Sequence, residues 1–160
     1  RVKVRVALVG QPDPGNPSSI DEATLHKWVE EGVIEYWGWQ HDMNNVFHQC
    51  HIVVLPTIYG EGVPTVLLEA AACEKPLVAT DIAGCRAVIK DGVNGFLVPI
   101  NDSNALVEAL EKLLRDSALR RQMGIAGRTL ILGQFTDTIV NERILAVYRM
   151  LLDEIPNEKD

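Results

Sequence analysis

The chain reads as an α/β fold: a parallel sheet with helices on both faces, followed by a helical C-terminal tail. Three observations predict it. Short apolar runs rich in Val and Ile recur along residues 4–99, with helix-period segments between them. Gly, Pro and Asp punctuate nearly every junction. From residue 102 onward only the helical period persists. Strand–helix alternation requires crossover connections, hence parallel strands covered on both faces.

Bulk properties set the frame. The 160 residues suffice for one domain with a full core. Apolar residues at 47% and charged residues at 23% are ordinary for a globular protein. A net charge of −7 argues against nonspecific nucleic-acid binding. The apolar runs are too short to span a bilayer. The opening Arg1-Val-Lys-Val-Arg-Val is a strand pattern rather than a signal peptide, and it lacks a start methionine. A piece of a longer protein is therefore expected. Cys50, Cys73 and Cys85 have no metal-like spacing and fit reduced core thiols of a cytosolic protein.

The elements follow in order. Residues 4–9 form a strand, and Pro12, Pro14, Gly15 and Pro17 a loop. Ser19 and Glu22 have capping-box spacing before a helix with Leu25, Trp28 and Val29 on one face. Gly32 ends that helix. Residues 33–37 are a second strand closed by Gly38, and Asp42 caps a short helix carrying Val46 and Phe47. A third strand at 52–55 leads into a loop and a helix at 64–73. A fourth strand at 76–80, a short helix at 85–90 and a fifth strand at 95–99 complete the alternation. Asp102 or Ser103 caps a helix with Leu106, Leu110, Leu113 and Leu114 inward. Helices at 117–132 and 136–152 form the tail, which packs outside or reaches toward another domain.

The junction at 56–69 carries the functional signal. It reads Pro56-Thr-Ile-Tyr-Gly-Glu-Gly-Val-Pro-Thr-Val-Leu-Leu-Glu69. A strand, a tight loop and a helix start, at the carboxyl edge of a parallel sheet, mark where open α/β folds bind ligands. Pro64 suits the first helical position, where no N–H is needed. The amides of Thr65, Val66 and Leu67 are then unpaired, and with the helix dipole they suit a phosphate. Gly60 and Gly62 permit a sharp turn and close approach. Glu69 lies within an apolar segment and is expected to be a buried carboxylate needing partners, such as two ribose hydroxyls. Glu61, on the loop, can accept from a second sugar. The order of carboxylate, amides and carboxylate matches ribose, diphosphate and hexose. Spacing alone equally allows Glu61 to be a solvated charge and Glu69 to be ion-paired.

The wider string is more specific. Leu55-Pro-Thr-Ile-Tyr-Gly-Glu-Gly-Val-Pro-Thr-Val-Leu-Leu-Glu-Ala-Ala-Ala-Cys73, then Lys75-Pro-Leu-Val-Ala-Thr-Asp, Gly84-Cys-Arg, Asp91-Gly-Val-Asn-Gly-Phe-Leu-Val-Pro and Asp102, closely resembles GT-B glycosyltransferases of family 4, the group 1 transferases. The resemblance runs from about Val6 to Phe135. It implies a Rossmann-like parallel sheet with helices on both faces, the C-terminal half of a GT-B fold. Residues 1–155 would be the nucleotide-sugar donor-binding domain of a two-domain enzyme, and 156–160 a frayed tail. The acceptor domain and the first strand of this domain would lie upstream.

The resemblance also implies roles. Glu61 inherits contact with the donor sugar, as a catalytic positioning and charge-stabilising group. Glu69 inherits the ribose hydroxyls. The amides of Thr65 and Val66 take the diphosphate, and Gly62 and Val63 lie near the sugar. Trp39 and Gln40 hold the base through backbone groups, although Trp39 reads equally well as a hydrophobic plug. The sugar is transferred with retention and without a carboxylate nucleophile. No Asp-x-Asp motif occurs, in keeping with metal independence, and no cofactor is implied beyond the nucleotide-sugar co-substrate, expected to be a UDP-sugar. The expected partners are that donor and a glycan or lipid-linked acceptor on the missing domain, with no nucleic acid. A cytoplasmic location follows, with peripheral association at the inner membrane face. This piece alone is expected to bind donor weakly and transfer nothing.

Two departures stand out. The basic pair that neutralises the leaving diphosphate in the family would lie upstream of Arg1. Glu74 occupies the glycine position of the turn after the helix, as local variation.

Other residues carry less. His41, His48 and His51 straddle a helix and a strand start, which gives no compact metal-ligand set. Asp81 is expected to cap the following turn and Arg86 to pair with a nearby acid. Competing readings are a GT-B-fold epimerase, a phosphorylase, and a sugar-nucleotide-binding module serving a separate acceptor subunit. A phosphorylase needs a pyridoxal lysine in a matching motif, which is lacking. An NAD-binding domain is disfavoured, because Gly10-Gln-Pro-Asp-Pro-Gly15 is not G-x-G-x-x-G.

Overall fold

The computed structural model describes residues 3–13, 15–16, 19–60 and 62–153. The expected frayed tail at 156–160 lies outside them, as does Glu61. The chain forms two compact units, Arg1–Val46 and Phe47–Asp160.

The first unit contains strand β1 (Ala7–Val9), helix α1 (Glu22–Glu30) and strand β2 (Glu35–Gly38). The two strands pair in parallel, with Ala7 opposite Glu35 and Leu8 opposite Tyr36; the register slips before Val9 meets Gly38. Both strands are shorter than their apolar runs. Their flank is tied by side chains instead: Arg5 donates to Glu35 through Nε at 2.6 Å and Nη2 at 2.8 Å. The Trp37 indole N–H donates to the same carboxylate at 3.2 Å. These donors hold the Glu35 carboxyl down at about 2, the Arg5 hydrogen bond contributing most.

The cap of α1 differs from expectation. Asp21, not Ser19, is the N-cap, and its carboxylate accepts from Thr24 N at 2.7 Å. Ser19 Oγ instead accepts from Asp13 N at 2.8 Å, fastening the preceding loop. Gly32 does lie in the left-handed region, at φ 68°, just past the helix.

Helix α2 (Met43–Gln49) begins as predicted, with Asp42 accepting from Asn45 N at 3.0 Å. It carries the boundary between the units.

The second unit contains β3 (Val53–Leu55), α3 (Thr65–Ala72), β4 (Leu77–Thr80), α4 (Ala83–Val88), β5 (Gly95–Val98), α5 (Ser103–Arg115), α6 (Ser117–Gln134) and α7 (Asp137–Asp153). The sheet order is β3-β4-β5, all parallel. Central β4 is buried along its whole length, which explains its continuous apolar run. One face of α3 contributes the fully buried Leu67, Ala70 and Ala71. Val78, Val98, Ala109, Leu113 and Met123 form a core cluster, against which Leu106 and Leu110 pack. Leu106, Leu110 and Leu113 of α5 thus face inward, and Asp102 caps that helix by accepting from Ala105 N at 2.9 Å.

Helix α6 lies against the end of α3 with almost no gap. A Cβ on Gly124 would stand 2.1 Å from the Glu74 carbonyl oxygen. Glu74 itself sits at φ 57°, so it adopts the left-handed turn of the glycine it stands in for. That conformation costs a non-glycine residue about 1 kcal/mol. Arg128 of α6 answers it, donating from Nη1 to Ala72 O at 2.7 Å and approaching the Glu74 carboxylate at 3.8 Å. In α7, by contrast, Ile144, Leu145, Tyr148 and Leu151 are all about half exposed or more.

Candidate functional site

The loop at 56–64 leaves β3 at the carboxyl edge of the three-stranded sheet and enters α3. Its first half is held from β4. Thr80 is only 3% exposed, and its hydroxyl donates to Thr57 O and lies 3.3 Å from Leu55 O. Thr57 Oγ1 in turn accepts from Tyr59 N at 3.2 Å. Its far end is fixed by Pro64, which is buried.

Pro64 is the N-cap of α3 rather than its first helical residue, with ψ 118° and no side-chain cap. The shift by one position changes which amides are free. Leu67 N donates to Pro64 O at 3.1 Å, so it is not available to a ligand, contrary to the sequence reading. The N–H groups of Thr65 and Val66 meet no acceptor among the described residues. A helix start with two unpaired donors and the positive end of its dipole suits an anion.

Glu69 also departs from expectation: it is exposed, not buried. The helical period explains this. Leu67, Ala70 and Ala71 take the core face, which turns Glu69 outward. Thr65, one turn earlier, is exposed on the same side. A carboxylate therefore stands one turn above these amides, on an open face, with no hydrogen-bond partner among the described residues. Gly62 and Val63 are exposed on the approach to the helix. A Cβ on Gly60 or Gly62 would meet nothing within 4 Å, and Gly60 is not left-handed. What these glycines provide is open space rather than a strained turn.

Gly62, Val63, Thr65, Val66 and Glu69 are thus gathered on one strand–helix junction of the second unit. Trp39 and Gln40 belong to the first unit. Trp39 is exposed, its ring edge-on to His41 with centroids 3.8 Å apart. Gln40 is turned back, donating from Nε2 to Trp37 O at 2.6 Å. A groove of about 560 Å³ in the first unit is lined by Val4, Val6, Val29, Val33 and Trp37, and by none of the expected site residues.

Asp81 does not cap α4, whose N-cap is Ile82. It accepts two hydrogen bonds from Arg86, at 2.6 and 3.0 Å, which hold its carboxyl below the usual range. Arg86 therefore pairs with a nearby acid, as expected. Among the described residues no group of three or more His, Cys, Asp or Glu is placed to hold a metal ion. No described helix is long and apolar enough to cross a membrane.

Thr80 escaped the sequence reading. Its signal was a hydroxyl ending the otherwise apolar run Leu77-Val-Ala-Thr80 of a central strand, where a buried polar group must find a partner.

The chain is similar to known proteins in sequence and in fold. The family described as "Glycosyl transferases group 1" matches residues 1–116. Over 153 residues the chain is 31% identical to N,N'-diacetylbacillosaminyl-diphospho-undecaprenol alpha-1,3-N-acetylgalactosaminyltransferase of Campylobacter jejuni, covering 96% of this chain and 39% of that one. Sucrose-phosphate synthase from Thermosynechococcus elongatus superposes with a TM-score of 0.80 at 27% identity, over 94% of this chain and 39% of its own. Anabaena HepE, solved in complex with UDP, superposes with a TM-score of 0.82 at 22% identity, over 92% of this chain and 41% of its own. The chain thus spans about two fifths of the length of these proteins.

Proposed function

Because the chain belongs to the glycosyl transferases group 1 family, we propose that residues 1–155 are the donor-binding domain of a retaining, metal-independent glycosyltransferase. Its donor is a nucleotide-sugar, in the first instance a UDP-sugar. Its acceptor is a glycan or a lipid-linked glycan, held by a part of the enzyme outside this sequence. The reaction belongs to polysaccharide or glycolipid assembly in the cytoplasm, at the inner face of the membrane. The acceptor class draws on the Campylobacter relative, whose name specifies an undecaprenol-linked diphosphate sugar.

The observation that carries this reading is the open face of α3, with two amides at its start that meet no acceptor among the described residues and Glu69 one turn above. The Thr65 and Val66 amides donate to the diphosphate and, with the helix dipole, stabilise the charge that grows on it as the glycosidic bond breaks. Glu69 accepts from both ribose hydroxyls; exposed in the free protein, it keeps its hydration until the ribose replaces it. Glu61, Gly62 and Val63 receive the sugar, Glu61 as a positioning group rather than a nucleophile. Trp39 and Gln40 take the base. Departure of the nucleoside diphosphate from the face the acceptor enters gives retention, with no covalent intermediate on the protein and no metal.

A calorimetric or NMR titration with UDP-, GDP- and ADP-sugars tests this. Binding of one of them is expected, with chemical-shift changes at the Thr65 and Val66 amides. Glu69→Ala should weaken it about 100-fold, the value of two hydrogen bonds to a charged acceptor. Because Glu69 is exposed, the fold should lose less than about 0.5 kcal/mol. A folded protein that binds none of the three donors would refute the reading.

A further inference from the structure

The exit of β3 is pinned by a group the mechanism above does not use. All four residues of β4 are buried, and three of them are apolar. The fourth, Thr80, brings a hydroxyl into a position where valine would fill the same volume without a polar group to satisfy. That hydroxyl has one proton, and both nearby acceptors belong to the β3 exit: Thr57 O receives it, with Leu55 O at 3.3 Å.

The location explains its use. The β3–β4 ladder ends with Leu55 opposite Ala79. On its other side Thr80 still pairs with Val98 of β5. Toward β3 the backbone ladder has run out, and the side chain supplies one further rung. That rung fixes Thr57, whose own hydroxyl accepts from Tyr59 N at 3.2 Å. Beyond it, Ile58, Tyr59, Gly60, Gly62 and Val63 are all exposed until the chain is buried again at Pro64. The exposed residues 58–60 and 62–63 therefore lie between two anchors, Thr80 at one end and the N-cap of α3 at the other. Only the second is shared with the diphosphate-binding amides.

Resting on the donor-site reading above, we propose that Thr80 is a positioning residue for the sugar end of the donor. By fixing where the loop begins, it limits the conformations that Gly60, Gly62 and Val63 must give up when the sugar binds. It leaves the diphosphate and ribose contacts on α3 untouched. Thr57 is half-buried, so removing the donor to its carbonyl lets water replace the bond and frees the loop without opening the core.

The test compares Thr80→Val and Thr80→Ser in the full-length protein. Affinity for a nucleoside diphosphate, UDP as the first probe, reads the α3 contacts alone. Affinity for the nucleotide-sugar and kcat/KM read both ends. For Thr80→Val we expect UDP affinity to stay within about twofold while kcat/KM for the nucleotide-sugar falls about tenfold, the value of one buried hydrogen bond. Thr80→Ser, which keeps the hydroxyl, should recover most of the loss. Should Thr80→Val fail to fold, Thr57→Val removes the second tie and should show the same split at smaller size. Equal loss of UDP and nucleotide-sugar affinity, or unchanged kcat/KM in a folded variant, overturns the proposal while leaving the donor site standing. A wild-type protein that binds neither ligand overturns both.

Discussion

Substituting Gly124 by alanine tests the close contact between α6 and the end of α3. The added Cβ would stand 2.1 Å from the Glu74 carbonyl oxygen and 2.8 Å from its carbon. Even close C–H···O contacts keep about 3.3 Å, so the overlap is about 1.2 Å. Backbone lies on both sides, and no side chain can rotate away. Arg128, bonded to Ala72 O, resists a sliding of the helix. Overpacking of this kind costs up to about 3 kcal/mol. Alanine returns about 1 kcal/mol through helix propensity. The expected net loss is about 2 kcal/mol, a Tm lower by about 4–8 °C. Gly133 of the same helix is the control, because a Cβ there meets nothing within 4 Å. Gly133→Ala should gain up to about 1 kcal/mol. Urea unfolding followed by circular dichroism measures both, with unchanged slopes licensing the comparison. If the two substitutions shift stability in the same direction, the contact does not have the closeness assigned to it.

Two further substitutions bear on the fold. Glu74→Gly relieves the left-handed strain of about 1 kcal/mol and gives up only a long, half-exposed ion pair to Arg128; the urea midpoint should rise, and a fall would mean the pair outweighs the strain. Glu35 has a folded-state pKa depressed from 4.5 to about 2, first by Arg5. Its contribution is therefore full above about pH 4.5 and lost as pH falls through about 2. Glu35→Gln should flatten stability against pH in that window, and an NMR titration of the Glu35 carboxyl gives the midpoint directly; a midpoint near 4.5 would contradict the bidentate geometry.

Much of the architecture was legible because strand and helix periods differ and glycine marks their ends. The β5 strand, the α5 cap and the Leu stripe follow from pattern alone. What failed did so for identifiable reasons. Ser19 and Asp21 are both good caps at plausible spacing, and the choice depends on Asp13 N, which claims the serine from a loop whose path no period encodes. The apolar neighbours of Glu69 suggest burial, but the helical period decides: counting three and four from Leu67 reaches Ala70 and Ala71 and leaves Glu69 outside. Pro64 was misplaced by one residue, a shift set by its ψ. Thr80 was visible as a polar end to an apolar strand, but its partners lie more than twenty residues earlier, across a crossover.

The tight seat of Gly124 has a consequence for where this fold can be cut. The family match ends at residue 116, before α6 begins. The interior does not stop there: Met123 and Ile131 of α6 are both buried, and α6 is the layer that roofs α3. A truncation at residue 116 would strip that roof and leave Ala71 and its neighbours facing water. A truncation after Phe135 would remove mainly exposed side chains. The smallest self-sufficient version of the second unit is thus set by where the last interior side chain falls, some fifteen residues past the end of the family match.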